Sequence, residues 1–335
     1  MAIRVVVVGL GARGRDWVHE IRNNREFDLA GGVDIDPGTQ QLNRLTNKQF
    51  GQDFTEALAR IEPNAVIVAT PPDRHVEFCR QALERSVAVM VEKPFTTNLS
   101  EAAQLVSLAT RQRTPLLVAQ NYRYMRSFRT ARRIVSEGTL GRVATVTCQY
   151  YRVPHQMAAS LAGLVDSVMW GIAVHHLDML RYVLGREVTA VIADSFSVPW
   201  GGLPQGASMR IMLTFDNDVR AVYTASYESS GHEYFEKGQE FYARFVGERA
   251  TLHIFHRWLV LCEKGKFPRL VKRGLRKVTE EQVMLGQLEK ALRTENEPES
   301  SGRDNLQTMA IVDSCLRSAR EKRWINPQEL LNELQ

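Results

Sequence analysis

The chain is expected to be an α/β protein, with a parallel-sheet domain first and a second α/β domain, rich in antiparallel strands, after it. Three observations carry that expectation. Short β-branched runs alternate with helical stretches through the first third of the sequence, the rhythm of βαβ units. A glycine-rich turn, Gly9-Leu10-Gly11-Ala12-Arg13-Gly14, stands directly between the first such run and the first helical stretch. Beyond Leu184-Gly185 the pattern changes to strand-length segments punctuated by polar turns.

Length and composition agree. The 335 residues suffice for two domains, and 44% hydrophobic with 24% charged residues is ordinary for a globular chain. The four cysteines (Cys79, Cys148, Cys262, Cys315) lie far apart, which argues for reduced thiols over a disulfide framework or a zinc site. No metal is expected. No apolar run is long enough to cross a bilayer, and the chain enters Ile3–Val8 without a leader-like stretch, so a cytoplasmic location is expected.

The elements follow in order. Ile3–Val8 is the first strand, and Arg15–Asn24 the first helix. Between them Gly9 permits a tight turn, Gly11 lets backbone amides approach a pyrophosphate, and Gly14 allows the helix to pack closely on the strand. Ala12 and Arg13 complete the candidate phosphate loop at the helix amino terminus. The second strand, Phe27–Val33, ends at Asp34, twenty positions beyond Gly14. A carboxylate there accepts from ribose hydroxyls and repels a 2′-phosphate, which favours NAD over NADP. Asp36 is a second candidate for that task, Arg13 and Arg15 pull towards NADP, and the plainer reading of Asp34 is a turn residue before Asp36-Pro37-Gly38.

Helices are expected around Gln40–Phe50 and over Phe54–Ile61, then a strand at Ala65–Ala69. Thr70-Pro71-Pro72 makes a rigid turn that leads through His75 into a helix over Val76–Arg85. The strand Val87–Val91 then stops at Glu92-Lys93-Pro94. Taken alone, Lys93 reads as a surface lysine at the start of a loop. Its place at the carboxyl end of a buried parallel strand is also where open α/β sheets bind ligands. A helix over Leu99–Arg111, capped by Asn98 or Ser100, and a strand over Leu116–Gln120 close this first domain.

With these motifs in view, the sequence resembles the Gfo/Idh/MocA family, the glucose–fructose oxidoreductase and inositol dehydrogenase group. The matching pieces are Gly9–Gly14, Ala69-Thr70-Pro71-Pro72 with His75, Val91-Glu92-Lys93-Pro94 and Asn121-Tyr122-Arg123-Tyr124. Further along come Glu137-Gly138-Thr139-Leu140-Gly141-Arg142-Val143, then His175-His176-Leu177-Asp178 with Leu184-Gly185, and a carboxy-terminal helix around 304–321. The resemblance spans nearly the whole chain in the right order. It implies a Rossmann dinucleotide-binding domain over residues 1–124. A substrate-binding and oligomerisation domain would follow over 125–335, with a large open, mostly antiparallel sheet through which homodimers or homotetramers form. It implies NAD(P)-dependent oxidation or reduction of a hydroxyl carbon in a sugar, polyol or related compound.

The resemblance also assigns residues. Lys93 takes the place beside the nicotinamide and the reacting oxygen, before a Lys-Pro peptide that is often cis in the family. Thr70, Pro71, His75 and Glu92 fall with the cofactor-binding positions, and Arg123, Tyr124, His176 and Asp178 with the substrate side. His175 falls on the family's catalytic histidine. Gly171, however, stands where the family pattern D-x-x-x-H-x-x-D has its first aspartate. Asp166 lies five residues further back and would not share that helix face. This departure motivates a second reading, a cofactor-binding regulatory protein that has lost redox chemistry. A related variant uses tightly bound NAD for transient oxidation without net redox change.

In the second domain Ser127–Glu137 reads as a helix, Val143–Tyr151 as a strand, Val153–Gly163 as a loop over the pocket and Ala173–Leu184 as a helix. His175 and Asp178, three apart, share a face of that helix. A neutral imidazole can take a hydroxyl proton, and a lysine ammonium can stabilise the developing alkoxide. Antiparallel strands are expected at Val188–Phe196, Ala207–Phe215, Val219–Tyr227, Glu240–Val246 and Ala250–Phe255. Trp200, in the loop before Gly206, either stacks on a sugar face or caps the sheet edge. The segment 257–277 holds eight Lys/Arg against one acid, Glu263, and reads as a solvated face; no nucleic-acid-binding module accompanies it. Residues 295–303 read as a loop, and Asn305–Lys322 and Pro327–Leu334 as closing helices.

Overall fold

A computed structural model describes residues 1–153, 165–229, 239–255, 258–272, 278–294 and 296–334. The chain divides into two compact units, residues 1–121 with 277–309, and residues 122–276 with 310–335. The first unit thus takes back a late segment that the sequence placed in the second.

The first unit is built on six parallel strands in the order β3-β2-β1-β4-β5-β6. These are β1 (Ile3–Val8), β2 (Phe27–Val33), β3 (Phe50–Gly51), β4 (Ala65–Val68), β5 (Ala88–Val91) and β6 (Leu116–Val118). All four residues of β4 and of β5 are buried, which is why these strands read as unbroken apolar runs. Strand order reverses between β1 and β4, and the crevice outside their carboxyl ends is the ligand-binding position of such sheets. The helices α1 (Ala12–Arg22), α3 (Phe54–Ile61), α4 (His75–Leu83) and α5 (Leu99–Gln112) run between strands, Asn98 capping α5 through its side-chain oxygen.

One expectation fails here, and one element was not foreseen. The helix expected over 40–50 is only one short turn, α2 (Gly38–Leu42). Asn43 closes it by donating its side-chain amide to the Thr39 and Leu10 carbonyls, and Gln49 then donates to the Leu29 carbonyl. Those contacts lay Phe50–Gly51 alongside β2 as the edge strand β3, with Gly32 opposite Phe50. The element not foreseen is a fifteen-residue helix at Glu280–Thr294, which buries Met284, Leu285, Leu288 and Ala291 and packs on α1. Their spacing is a helical stripe that was present in the sequence.

The second unit carries eight strands in the order β14-β13-β12-β11-β7-β10-β9-β8. They are β7 (Val143–Arg152), β8 (Val188–Phe196), β9 (Ser208–Phe215), β10 (Arg220–Ser226), β11 (Gln239–Gly247), β12 (Ala250–Phe255), β13 (Trp258–Glu263) and β14 (Arg269–Leu270). Every neighbouring pair is antiparallel except β7 with β10. Helices α6 (Arg126–Ser136) and α7 (Val174–Leu184) pack together in this unit, and all eleven residues of α7 are buried. Val146, Cys148 and Tyr150 of β7 and Ala221, Tyr223 and Ala225 of β10 are buried. Met212, Val222, Phe255 and Trp258 remain exposed. The last two strands lay hidden in the basic segment, whose Lys264, Lys266, Arg269 and Lys272 are exposed. Most of the loop expected over 153–163 lies outside the described residues.

Candidate active site

The glycine turn has the geometry its sequence requires. Gly9 adopts φ +82°, a left-handed conformation that disfavours any side chain, and its N–H donates to Val33 O at 2.8 Å. A Cβ on Gly14 would lie 1.9 Å from the Gly9 carbonyl oxygen, so α1 reaches the turn only because residue 14 has no side chain. Gly11 is different: a Cβ there would meet nothing within 4 Å, leaving its backbone open to an approaching group. Gly11 also caps α1 without a side-chain bond, and no acid occupies the first turn, so the helix amino terminus keeps its affinity for anions.

Asp34 closes this turn from the β2 side. Its Oδ2 accepts from Leu10 N–H at 2.6 Å and its Oδ1 from Asp36 N–H at 2.9 Å. It is therefore a turn residue as well as a recognition candidate, and a carboxylate retains further lone pairs for ribose hydroxyls. Asp36 accepts from Gly38 N–H at 2.8 Å in the following turn. Thr70 borders the same turn, since a Cβ on Gly9 would lie 2.8 Å from the Thr70 backbone nitrogen. The Thr70 hydroxyl is buried and has no hydrogen-bond partner among the described residues.

Several of the expected cofactor-binding residues brace the fold around the turn. Glu92 is 6% exposed, and its Oε1 accepts from Arg13 Nε at 3.0 Å, Arg13 Nη2 at 2.7 Å and Trp17 Nε1 at 2.9 Å. Arg13 further pairs with Asp16 at 3.0 Å and with Glu281 of the Glu280–Thr294 helix at 3.2 Å. These charges tie α1 to the end of β5 and are spent on one another. The ring nitrogens of the buried His75 lie 2.9 Å from the Pro94 carbonyl oxygen and 3.0 Å from that of Thr70. His75 therefore clamps the turn after β4 to the turn after β5, and burial lowers its basicity. The Lys93-Pro94 peptide is cis.

Lys93 is half-buried at the carboxyl end of β5. Burial brings its ammonium down to about 8; the Glu92 carboxylate opposes that shift and the Arg13 guanidinium adds to it. Glu92 thus holds the glycine loop and conditions the lysine next to it.

In the second unit, His175 and His176 part company. His175 is 5% exposed and stacks on Tyr122, ring centroids 4.4 Å apart and planes 16° apart. His176 is fully buried, with Nδ1 2.9 Å from the Tyr223 hydroxyl and with Tyr150, Tyr223 and Phe241 around its ring. Its burial lowers its pKa to about 3, so it is a neutral residue within the aromatic core. Arg123 and Asp178 meet each other directly. They form a buried bidentate pair, with Nε to Oδ2 and Nη2 to Oδ1 both at 2.6 Å, and Arg181 approaches Asp178 to 3.8 Å. Arg181 in turn pairs with Glu187 at 2.7 Å. Tyr124 is 3% exposed. Arg123 and Asp178 fasten the turn Asn121–Tyr124 to α7; partners fifty-five positions apart left no local signal.

Gly171 lies in a π-helical turn, Met169–Ala173, that runs directly into α7. Asp166 does not replace the missing acid: it has φ +53° and its carboxylate accepts from the Ser195 hydroxyl at 2.6 Å. Trp200 lines a cleft with Tyr151, Phe196, Arg210, Thr224 and Glu228. Tyr151 and Thr224 each follow a residue that points towards His176, so this cleft opens on the opposite face of the sheet. Trp200 is thus remote from His175 across the sheet. Among the described residues no cluster of His, Cys, Asp and Glu suits a metal ion, and no helix is long and apolar enough to cross a membrane.

Comparison with known proteins places these features in a family. Residues 3–120 match the Gfo/Idh/MocA oxidoreductase family with its NAD-binding Rossmann fold, and residues 128–253 match the carboxy-terminal domain of the same family. The chain belongs to the Gfo/Idh/MocA family and is an NAD-binding oxidoreductase. It is similar to the D-apiose dehydrogenase of Paraburkholderia graminis, 24% identical over 97% of this chain and 89% of that one. It is also similar to inositol 2-dehydrogenase 4 of Saccharopolyspora erythraea, 28% identical over 56% of each chain. Among solved structures, an Agrobacterium radiobacter oxidoreductase in complex with NAD+, L-tartaric acid and magnesium superposes with a TM-score of 0.88. It is 19% identical, with 98% of this chain and all of that one covered.

Proposed function

We propose that the protein oxidises, or in reverse reduces, a hydroxyl-bearing carbon of a sugar or polyol, with Lys93 and His175 as its catalytic residues. The observation that carries this reading is Lys93, a lysine of lowered basicity at the carboxyl end of β5, beside a glycine turn open at Gly11. The relatives named D-apiose dehydrogenase and inositol 2-dehydrogenase support the substrate class.

NAD fits the residues present. Gly11 and the uncapped start of α1 would hold the pyrophosphate, Asp34 the adenosine ribose, and Thr70 a neighbouring part of the dinucleotide. When bound, NAD supplies the hydride acceptor. The chain does the rest: the Lys93 ammonium donates a hydrogen bond to the substrate oxygen and stabilises its growing negative charge. The His175 imidazole takes the hydroxyl proton as hydride leaves the carbon. Glu92 keeps the glycine loop in place through Arg13 and Trp17. The exposed Met212, Val222, Phe255 and Trp258 on the second unit's sheet suit a homo-oligomeric contact.

The test is steady-state turnover on a sugar and polyol panel that includes D-apiose and myo-inositol. Lys93→Ala and His175→Ala are each expected to cut kcat by about 10²-fold or more. Unchanged turnover in both variants sinks the assignment. The reading as a redox-inactive regulatory protein rested on Gly171 alone, and the family relatives named as dehydrogenases give it no support.

A further inference from the structure

We infer that Tyr122 is a positioning residue that fixes the plane of the His175 imidazole. The inference rests on the assignment of His175 as proton acceptor and adds a residue that neither the motif nor the family match assigns.

The two rings lie face to face, with centroids 4.4 Å and planes 16° apart. Tyr122 is backed in turn by Phe128 of α6, 5.8 Å away at 20°, and Phe128 stands edge-on to Phe241 of β11 at 5.6 Å and 80°. His175 thus stacks on a column of rings rooted in a helix and a strand. The turn carrying Tyr122 cannot drift from α7, because the next residue, Arg123, is locked to Asp178 by two 2.6 Å bonds. Residue 122 meets 175 as 123 meets 178, so the buried ion pair sets the register of the stack.

A helix fixes the Cα of His175 but leaves its side-chain torsions to be settled by packing. An imidazole that must aim one ring nitrogen at a hydroxyl depends on those torsions, since small misplacements of a reacting group are costly. The adjacent His176 meets Tyr122 only edge-on, at 5.5 Å and 60°, and has the Tyr223 hydroxyl 2.9 Å from its Nδ1. For His175 the flat face of Tyr122 sets the plane, and the tyrosine ring, not its hydroxyl, is what matters.

The experiment compares Tyr122→Leu and Tyr122→Phe in the full-length chain, by two readouts. Proton NMR of the His175 ring, assigned against His175→Asn, is expected to show an upfield ring-current shift in the wild type and Tyr122→Phe that vanishes in Tyr122→Leu. Turnover on a substrate found in the panel is expected to fall about 10-fold in kcat for Tyr122→Leu at nearly constant KM, and to be retained in Tyr122→Phe. Tyr122→Met replaces the leucine variant if that one does not fold. Wild-type kcat in a folded variant without the ring overturns the inference, as does an equal loss in Tyr122→Phe. The parent assignment fails separately: full turnover in His175→Ala removes it and this inference together. A slow His175→Ala beside a fast Tyr122→Leu removes this inference alone.

Discussion

Lys93 gains its character from what surrounds it. Burial, reinforced by the Arg13 guanidinium, lowers its ammonium from 10.5 to about 8 against the opposing pull of Glu92. The proton is held below about 8 and lost above it, and only the charged form stabilises an alkoxide. We therefore expect kcat/KM for hydroxyl oxidation to fall above pH about 8, and Lys93→Arg, slower but permanently charged, to lose that alkaline limb. A limb of the same position in Lys93→Arg assigns it to another group. Lys93 was legible because a strand end and a proline frame it. Its partner charges were not, since Arg13 lies seventy-nine positions from Glu92 and nothing local links them. His176 shows the converse: adjacent to His175 in sequence, it turns into the aromatic core, because neighbouring helix positions face different ways.

At the scale of elements, the turn Gly9–Gly14 separates structure from binding. A methyl on Gly14 collides with the Gly9 carbonyl, so Gly14→Ala is expected to lower the melting temperature and abolish NAD+ binding together. A methyl on Gly11 meets only open space, so Gly11→Ala is expected to keep the wild-type melting temperature and to weaken NAD+ at least about 10-fold by crowding the pyrophosphate. Scanning calorimetry with and without NAD+ separates the two; equal binding by Gly11→Ala and wild type contradicts the assignment. Most strands of both sheets could be read from apolar runs and alternation. Helix α2 could not, because Asn43 and Gln49 bond to backbone outside their own segment and stop it early. Strands β13 and β14 were masked by exposed basic residues, although Leu259 and Leu261 are buried at every second position.

For the molecule as a whole, the cost of keeping His176 neutral is shared by the folded state. Unfolded, this histidine takes a proton below its ordinary 6.5; folded, it resists protonation until about 3. Between those values the unfolded state binds the extra proton, so stability falls as pH drops, by roughly 1.4 kcal/mol per pH unit. His176→Gln is expected to flatten that slope in urea unfolding between pH 7 and pH 5, whatever its stability at pH 7. A slope unchanged from wild type places the acid sensitivity elsewhere. The division into units was the least legible feature. The boundary near residue 121 follows a motif, but the return of residues 277–309 depends on Glu281 reaching Arg13 and Gln282 reaching Glu20 and Asn24.

The most direct measurement is a calorimetric titration of cofactor-stripped protein with NAD+, NADH, NADP+ and NADPH. With Asp34 at the end of β2 and Arg13 committed to Glu92, NAD+ is expected to bind at least about 10-fold more tightly than NADP+. A preference for NADP+, or binding of none of the four, contradicts it.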